Sequence, residues 1–418
     1  MPEVPVDVAI VGAGPAGVAA GIGAREAGAK EVLVLERDWD LGGILQQCIH
    51  PGFGLRTFKE ELTGPEFMHR WIERAHGAGV RFSTNTMVFS MDDDGSLWTM
   101  NPHRGIEHVV PKAVVLAMGC RERPAGAIKL TGTRGAGIYT AGTAQRFVNM
   151  EGLLPGKRVV ILGSGDIGLI MARRMIWEGA EVEGVYEIMP WAGGLRRNVA
   201  QCLDDFHIPF HLEHAVLSTH GRDRLEGVTV AKIDAQRRPV EGTERYVPCD
   251  TLLLAVGLIP ENELSRMAGV AIHPGTGGPV VNQFLQTSKP QIFAAGNVVI
   301  VYDLADNVSD EGMRAGRNAA LYAAGDLPCG GRRFEIKGGK AVRLFSPQWI
   351  TDGGDATVFF RVVRPFECRC KVFADHGLFS QTHRYARPGE MNEVHLSARD
   401  LRSLDPGVTS LTVDVEEV

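Results

Sequence analysis

The chain has no Cys-x-x-Cys pair, no block of basic residues and no apolar stretch long enough to cross a bilayer. Its seven cysteines, at positions 48, 120, 202, 249, 329, 368 and 370, are odd in number and scattered. That pattern speaks against a disulfide-stapled fold and for a reducing compartment. Basic residues number 44 against 50 acidic ones, for a net charge of −6, which argues against a nucleic-acid or anionic-membrane partner. No run approaches the ~18–20 apolar residues of a spanning helix. The first apolar run has no basic segment ahead of it and reads as a strand, not as a signal peptide. A soluble, cytoplasmic protein is expected. What the chain has in excess is glycine, 51 of 418 residues against a usual ~7%, without a Gly-X-Y period. At ~100–200 residues per domain the length implies two to four domains, and the apolar share of 44% is ample for their cores. The glycines must then sit where the backbone takes a positive φ or lets something approach closely.

The first informative segment is the apolar run Val6–Val11, followed by Gly12-Ala13-Gly14-Pro15-Ala16-Gly17. An Ala-rich helical stretch leads to Ala27 and Gly28, and a second apolar run, Val32–Leu35, is closed by Glu36. This is strand, glycine turn, helix, strand, acid. Gly12 allows the tight turn, Gly14 lets a pyrophosphate approach the backbone, and Gly17 lets helix and strand pack closely. The helix N-terminus faces the phosphate charge, and Glu36 can accept hydrogen bonds from a ribose diol. The pattern then repeats in register. Gly163, Gly165, Gly168, Ala172, Gly179 and Glu187 fall 151 residues after Gly12, Gly14, Gly17, Gly21, Gly28 and Glu36. Gly193-Gly194 stands at the same distance from Gly42-Gly43. Two successive dinucleotide-binding units follow from this, with Asp166 and Ile167 inside the second turn. Each unit ends alike, Ala113–Leu116 running into Ala117-Met118-Gly119 and Thr251–Leu254 into Ala255-Val256-Gly257. Each also carries a β-rich excursion, residues 81–108 and 210–247.

With these motifs the chain resembles the two-dinucleotide-domain flavoproteins of the pyridine nucleotide–disulfide oxidoreductase superfamily. The run Thr287-Ser288-Lys289-Pro290-Gln291-Ile292-Phe293-Ala294-Ala295-Gly296-Asn297 supports the likeness. The resemblance implies a short strand returning to the first domain, whose terminal acid bonds the FAD ribityl chain; here Asn297 replaces that acid. It implies FAD at Gly12, Gly14, Pro15, Ala16, Gly17, Glu36, Arg37, Gly42, Gly43, Val88, Ala117, Gly119, Gly296 and Asn297. It implies NAD(H) at Gly163, Gly165, Asp166, Ile167, Gly168, Glu187 and Gly257. A helix over roughly 311–324, with Ser309 as N-cap, would face the flavin pyrimidine. The segment Gly42–Gly54, with Gly119–Pro124 and Tyr139–Gln145, is similar to one branch of that superfamily. The branch holds oxidoreductases associated with anaerobic glycerol-3-phosphate dehydrogenase and the nucleotide-binding subunits of opine and hydroxyproline dehydrogenases and of hydrogen cyanide synthase. A redox subunit working with a second flavoprotein is implied, in a hetero- or homo-oligomer.

The superfamily's best-known chemistry needs two cysteines within bridging distance. After the first double glycine only Cys48 occurs, and before the second glycine turn Tyr139–Thr143 holds none, so a disulfide reductase is the wrong reading. Gln47, Cys48 and His50 are the candidates for groups beside the flavin. Cys48 reads either as a reactive thiol aided by His50 or as a small buried residue. Cys120, Cys368 and Cys370 read as structural, and no metal cluster is recognised.

These readings converge on an α/β fold of two Rossmann-like dinucleotide-binding domains, the second inserted into the first, with a small C-terminal β-rich module. The boundaries expected are 1–125 and 280–330 for the FAD domain, 126–279 for the NAD(H) domain and 331–418 for a module of four to six strands that docks a partner or caps the fold. The function expected is hydride transfer between NAD(H) and FAD, with electrons exchanged with a partner flavoprotein or external acceptor. Glu187 favours NADH over NADPH. One alternative is a non-NAD subunit of an amine, opine or hydroxyproline dehydrogenase complex, holding a structural adenine nucleotide in the second site. Another is a scaffold with vestigial sites.

Overall fold

The computed structural model describes residues 2–328, 330–366, 370–374, 379–383 and 385–417. The chain forms two compact units, one of residues 1–120 and 260–418 and the other of 121–259. Among the described residues no helix is long and apolar enough to cross a membrane.

The first unit opens with strand β1 (Glu3–Val11), helix α1 (Pro15–Glu26) and strand β2 (Val32–Leu35). Val8, Ala9 and Ile10 are fully buried, as befits a parallel strand covered on both faces. Proline at the start of α1 is pre-set for a helix, and Gly28 at φ +97° ends it. Helix α2 (Gly64–Gly77) starts on a capping box made by Thr63 and Glu66. The excursion is a strand β3 (Arg81–Ser83) and a meander of β4 (Met87–Met91), β5 (Leu97–Asn101) and β6 (Gly105–Leu116). The sheet runs β3-β2-β1-β6-β5-β4. Ala113–Leu116, at the end of β6, pairs in parallel with Val8–Val11.

The second unit repeats the plan with β7 (Ile138–Thr140), α3 (Ala141–Asn149), β8 (Arg158–Leu162), α4 (Asp166–Trp177) and β9 (Glu181–Glu187). A short α5 (Arg196–Cys202) and β10 (Phe210–Leu212) precede the excursion β11 (His214–His220), β12 (Gly227–Lys232) and β13 (Arg245–Pro248). With β14 (Thr251–Leu254) the parallel sheet reads β7-β14-β8-β9-β10.

Back in the first unit, α6 (Glu263–Met267) is followed by β15 (Ile292–Ala294), which pairs with Val114–Leu116 as the seventh strand of the first sheet. Residues 260–279 belong with this unit, not with the nucleotide domain that was expected to run to 279. Leu264, Ala268 and Val270 enter its core. Helix α7 spans Ala305–Ala324, six residues earlier than the expected start at 311. The expected N-cap, Ser309, is therefore a fully buried residue within the helix. Leu304 is the extended residue before the first turn, and Asp306 in that turn accepts from the Gly54 and Thr57 amides.

Among the described residues the C-terminal module has eight strands, not four to six: β16 (Arg333–Gly338), β17 (Val342–Ser346), β18 (Trp349–Thr351), β19 (Ala356–Val362), β20 (Cys370–Ala374), β21 (Phe379–His383), β22 (Asn392–Leu396) and, after α8 (Ala398–Arg402), β23 (Ser410–Glu417). They form sheets β18-β16-β23-β20-β21 and β17-β19-β22 around Phe334, Ile350, Phe360 and Leu411. Several are short and polar-edged, which hides them from a reading based on apolar runs. The expectation that Cys368 is structural lies outside the described residues; Cys370 begins β20.

Candidate functional site

The two glycine turns are shaped by close approach. Gly12 sits at φ +99°, and a Cβ there would lie 2.7 Å from the Ala117 carbonyl oxygen. At Gly17 a Cβ would be 1.8 Å from the Gly12 oxygen. Gly163 at φ +97° faces Ala255 in the same way, and Gly168 is wedged between Ala255 and Gly163. The last strands seal both turns from below, Ala117 donating to Val11 (2.9 Å) and Ala255 to Leu162 (2.7 Å). Gly119 and Gly257, just beyond, take φ +71° and +102° with open space beside them.

Gly14 and Gly165 are different. Each is the N-cap of its helix, extended, with no side-chain cap. A Cβ on Gly14 would meet nothing within 4 Å, and one on Gly165 only the Ala255 oxygen at 3.8 Å. These are open cradles at helix N-termini, the fit a pyrophosphate requires. In the first unit Pro15 and Ala16 leave that end without a carboxylate. Gly43 stacks over it, where a Cβ would come 3.1 Å from the Gly14 Cα, and Gly42 (φ +116°) donates to the Ala13 carbonyl (2.9 Å).

The acids bracket these turns. Glu36 accepts from the Ala13 amide on Oε2 (2.7 Å) and from the Asp38 amide on Oε1 (2.9 Å). Glu187 accepts from the Ser164 amide on Oε2 (2.9 Å) and from the Met189 amide on Oε1 (2.9 Å). Both carboxylates are nearly buried, each 7% exposed. The correspondence of sequence position thus extends to individual oxygens. There is one departure. The Ser164 hydroxyl also donates to Glu187 Oε2 (2.6 Å) while accepting from the Gly193 amide (2.8 Å). A carboxylate oxygen has two acceptor sites, so one stays open on each oxygen of Glu36 but on only one oxygen of Glu187. Arg37 is exposed beside the first acid. Val88 is buried on β4, at the end of a segment whose Thr86 and Asn85 amides donate to the Glu36 and Asp38 carbonyls.

Asp166 follows Gly165 and opens α4, with Ile167 next to it. Its Oδ1 accepts from the Leu195 amide (2.8 Å) and from the Asn198 side chain (2.6 Å). Asp166 therefore pins the loop after Gly193-Gly194 across the second turn.

Of the flavin-side candidates, Gln47 ends the 3-10 segment Gly43–Gln47, and Cys48 and His50 follow it. Gln47 and Cys48 are buried and His50 is half-buried. Burial pushes the Cys48 thiol up to about 12, and its Sγ donates to the Ile44 carbonyl (3.4 Å). This favours the small buried residue over the reactive thiol, because the thiolate is the nucleophile. His50 approaches the Pro51 carbonyl (3.1 Å) and the Phe53 ring (5.1 Å between centroids). Cys120 is half-buried, and Cys202 and Cys249 are buried; none of these or Cys48 forms a disulfide. Among the described residues no His, Cys, Asp and Glu cluster could hold a metal.

Gly296 adopts φ +76°, with Ala16 and Val308 each 3.0 Å from where its Cβ would be. This brings the returning turn against the start of α1. Asn297 accepts from the Tyr302 amide through Oδ1 (3.0 Å). Two residues that reach this turn from outside it, Tyr302 and Glu311, have no sequence signal of their own for that contact. Glu311, on α7, accepts from the Gly296 amide on Oε2 (2.5 Å) and from the Tyr302 hydroxyl on Oε1 (2.8 Å). Burial raises both the Glu311 carboxyl and the Tyr302 phenol above their ordinary values. Ser164 was also missed as a site residue, although it stands in register with Ala13.

The model of the pyridine nucleotide-disulphide oxidoreductase family matches residues 6–327. The chain is 30% identical over 347 residues to the NADPH glutamate synthase small chain of Escherichia coli (strain K12), across 74% of this chain and 66% of that one. It is 27% identical over 351 residues to an opine oxidase subunit of Agrobacterium tumefaciens (strain Ach5), across 77% and 66%. The match thus spans about two thirds of the length of these relatives. Among solved structures, the thioredoxin reductase of T. acidophilum superposes with a TM-score of 0.62 at 24% identity, covering 77% of this chain and 99% of that one. That likeness is one of fold.

Proposed function

The chain belongs to the pyridine nucleotide-disulphide oxidoreductase family, and from that premise we propose that it moves hydride between NAD(H) and FAD and exchanges the electrons with a partner flavoprotein or another external acceptor. The observation that carries the reading is the twin geometry of the phosphate turns, matched to the oxygen at Glu36 and Glu187, in a chain without a cysteine pair at either position the family uses. FAD, when bound, supplies a hydride acceptor that can release its electrons onward. The protein's part is binding and electrostatics. Gly12, Gly14 and Gly17 admit the FAD pyrophosphate, Glu36 takes its ribose, and Gly296 and Asn297 hold the ribityl chain. Gly163, Gly165 and Gly168 do the same for the nicotinamide nucleotide. The negative charge of Glu187 opposes a 2′-phosphate, which favours NADH. Relatives whose own names call them a small chain and a subunit support the expectation of a partner protein.

The test is an anaerobic titration of the FAD-loaded protein with NADH, followed by a count of titratable thiols in denaturant. The flavin's visible absorbance should bleach, the thiol count should not change, and added acceptor should restore the colour. Two new thiols per flavin reduced would overturn the external-acceptor reading. An unbleached flavin, with an adenine nucleotide retained through gel filtration, would instead make the second site structural.

A further inference from the structure

We propose that the C-terminal β module acts on the flavin: through Tyr302 and Glu311 it holds the Gly296–Asn297 turn that receives the FAD ribityl chain. The inference rests on the FAD reading of that turn and assigns the module a task that its own sequence does not suggest.

Three consecutive residues just beyond the turn are each held by the module. Arg361 on β19 donates to the Val301 carbonyl (3.1 Å). The Phe359 ring, on the same strand, meets the Tyr302 ring edge-on at 5.6 Å. The Met391 amide, beside β22, donates to Asp303 Oδ2 (3.3 Å). Tyr302 then reaches the turn twice. Its amide donates to Asn297 Oδ1 (3.0 Å), which fixes the orientation of the Asn297 amide group. Its hydroxyl donates to Glu311, whose other oxygen receives the Gly296 amide. Both Tyr302 and Glu311 are more than nine-tenths buried. A buried donor or acceptor that loses its partner costs more than the bond itself was worth, so the links move together. The path runs from Phe359 through Tyr302 and Glu311 to Gly296, with no exposed step.

Tyr302 and Glu311 are positioning residues, which act through the turn.

The experiment measures FAD affinity by the fluorescence of released flavin in wild type, Tyr302→Phe, Phe359→Ala and a control, Thr357→Val, on the same strand but bonded to His395 and not to residues 301–303. It is paired with amide hydrogen exchange with and without FAD. Tyr302→Phe keeps the ring and the amide, and should raise the FAD dissociation constant about three- to tenfold, the worth of one buried hydrogen bond. Phe359→Ala should act in the same direction, and Thr357→Val should leave affinity unchanged. In the wild type, FAD should slow exchange across 356–362 as well as at 296–302, a readout that needs no variant to fold. The proposal is overturned if Tyr302→Phe and Phe359→Ala bind FAD as wild type does while only melting earlier, or if FAD leaves exchange in 356–362 unchanged. A wild type that binds no FAD would instead bring down the cofactor reading itself.

Discussion

In the second site as proposed, Glu187 would set the nucleotide preference, and Ser164 would limit how it does so. The serine hydroxyl and amide fill both acceptor sites of Oε2, and the Met189 amide takes one on Oε1. The acid therefore still opposes a 2′-phosphate as a carboxylate but has one acceptor site left for a ribose hydroxyl. Discrimination should thus come from repulsion of NADPH more than from a tight grip on NADH. Glu187→Gln removes that charge with little change of shape, and we expect it to narrow the preference chiefly by tightening NADPH. Dissociation constants for both nucleotides check this, and an NADPH affinity that stays the same would refute it. The acid itself was legible because it ends its strand in both repeats. Ser164 was not, because a hydroxyl between two glycines has no distinctive pattern until its partner is placed. Cys48 teaches the converse. Its position after the double glycine left a reactive thiol and a small buried residue both open, because exposure is not written in sequence; burial pushes its thiol up to about 12.

Helices α1 and α7 show which glycines a motif can explain and which it cannot. Those of the phosphate turns announce themselves by spacing. Gly312 and Gly316 do not, yet a Cβ on them would lie 2.2 Å and 1.8 Å from the Ala16 and Ala20 carbonyl oxygens. A Cβ on Gly23 of α1 would in turn be 2.1 Å from the Met313 oxygen. The two helices therefore touch backbone to backbone, and α1 carries the first phosphate turn. The start of α7 was misplaced for a related reason, since its first turn is anchored by Asp306 to a distant loop and not by a local cap. Gly316→Ala forces the axes apart, and overpacking of this kind costs about 1–3 kcal/mol. The variant should unfold at lower denaturant and release FAD more readily, as equilibrium unfolding and gel filtration would measure. Wild-type stability in that variant would mean that the helices accommodate a methyl group without shifting α1.

For the molecule as a whole, the repeat made the two-domain plan legible, while the attachment of the last ninety residues was not. A module with its own core of Phe334, Ile350, Phe360 and Leu411 would be expected to unfold by itself. Its seam with the rest of the first unit argues otherwise. The Val281 amide donates to Gln348 Oε1 (2.9 Å), and the Gln348 amide returns a bond to the Val281 carbonyl (3.1 Å). Gln283 donates to the Thr351 carbonyl (2.8 Å) and hydroxyl (3.1 Å) and accepts from the Thr351 amide (3.1 Å). All four residues are buried. Opening the seam exchanges these bonds for bonds to water, a net loss of about 0.5–1.5 kcal/mol for each. Separate opening of the module is thereby disfavoured, and the two parts should behave as one cooperative unit. Native-state hydrogen exchange measures this directly. The amides of Phe334 and Ile336 should exchange with the same opening free energy as those of Val8 and Ile10. Gln283→Ala, which leaves the Thr351 amide without an acceptor, should lower both together. If it accelerates exchange at 334–336 and leaves 8–10 untouched, the module is an independent folding unit and its hold on residues 301–303 transmits little to the turn at 296–297.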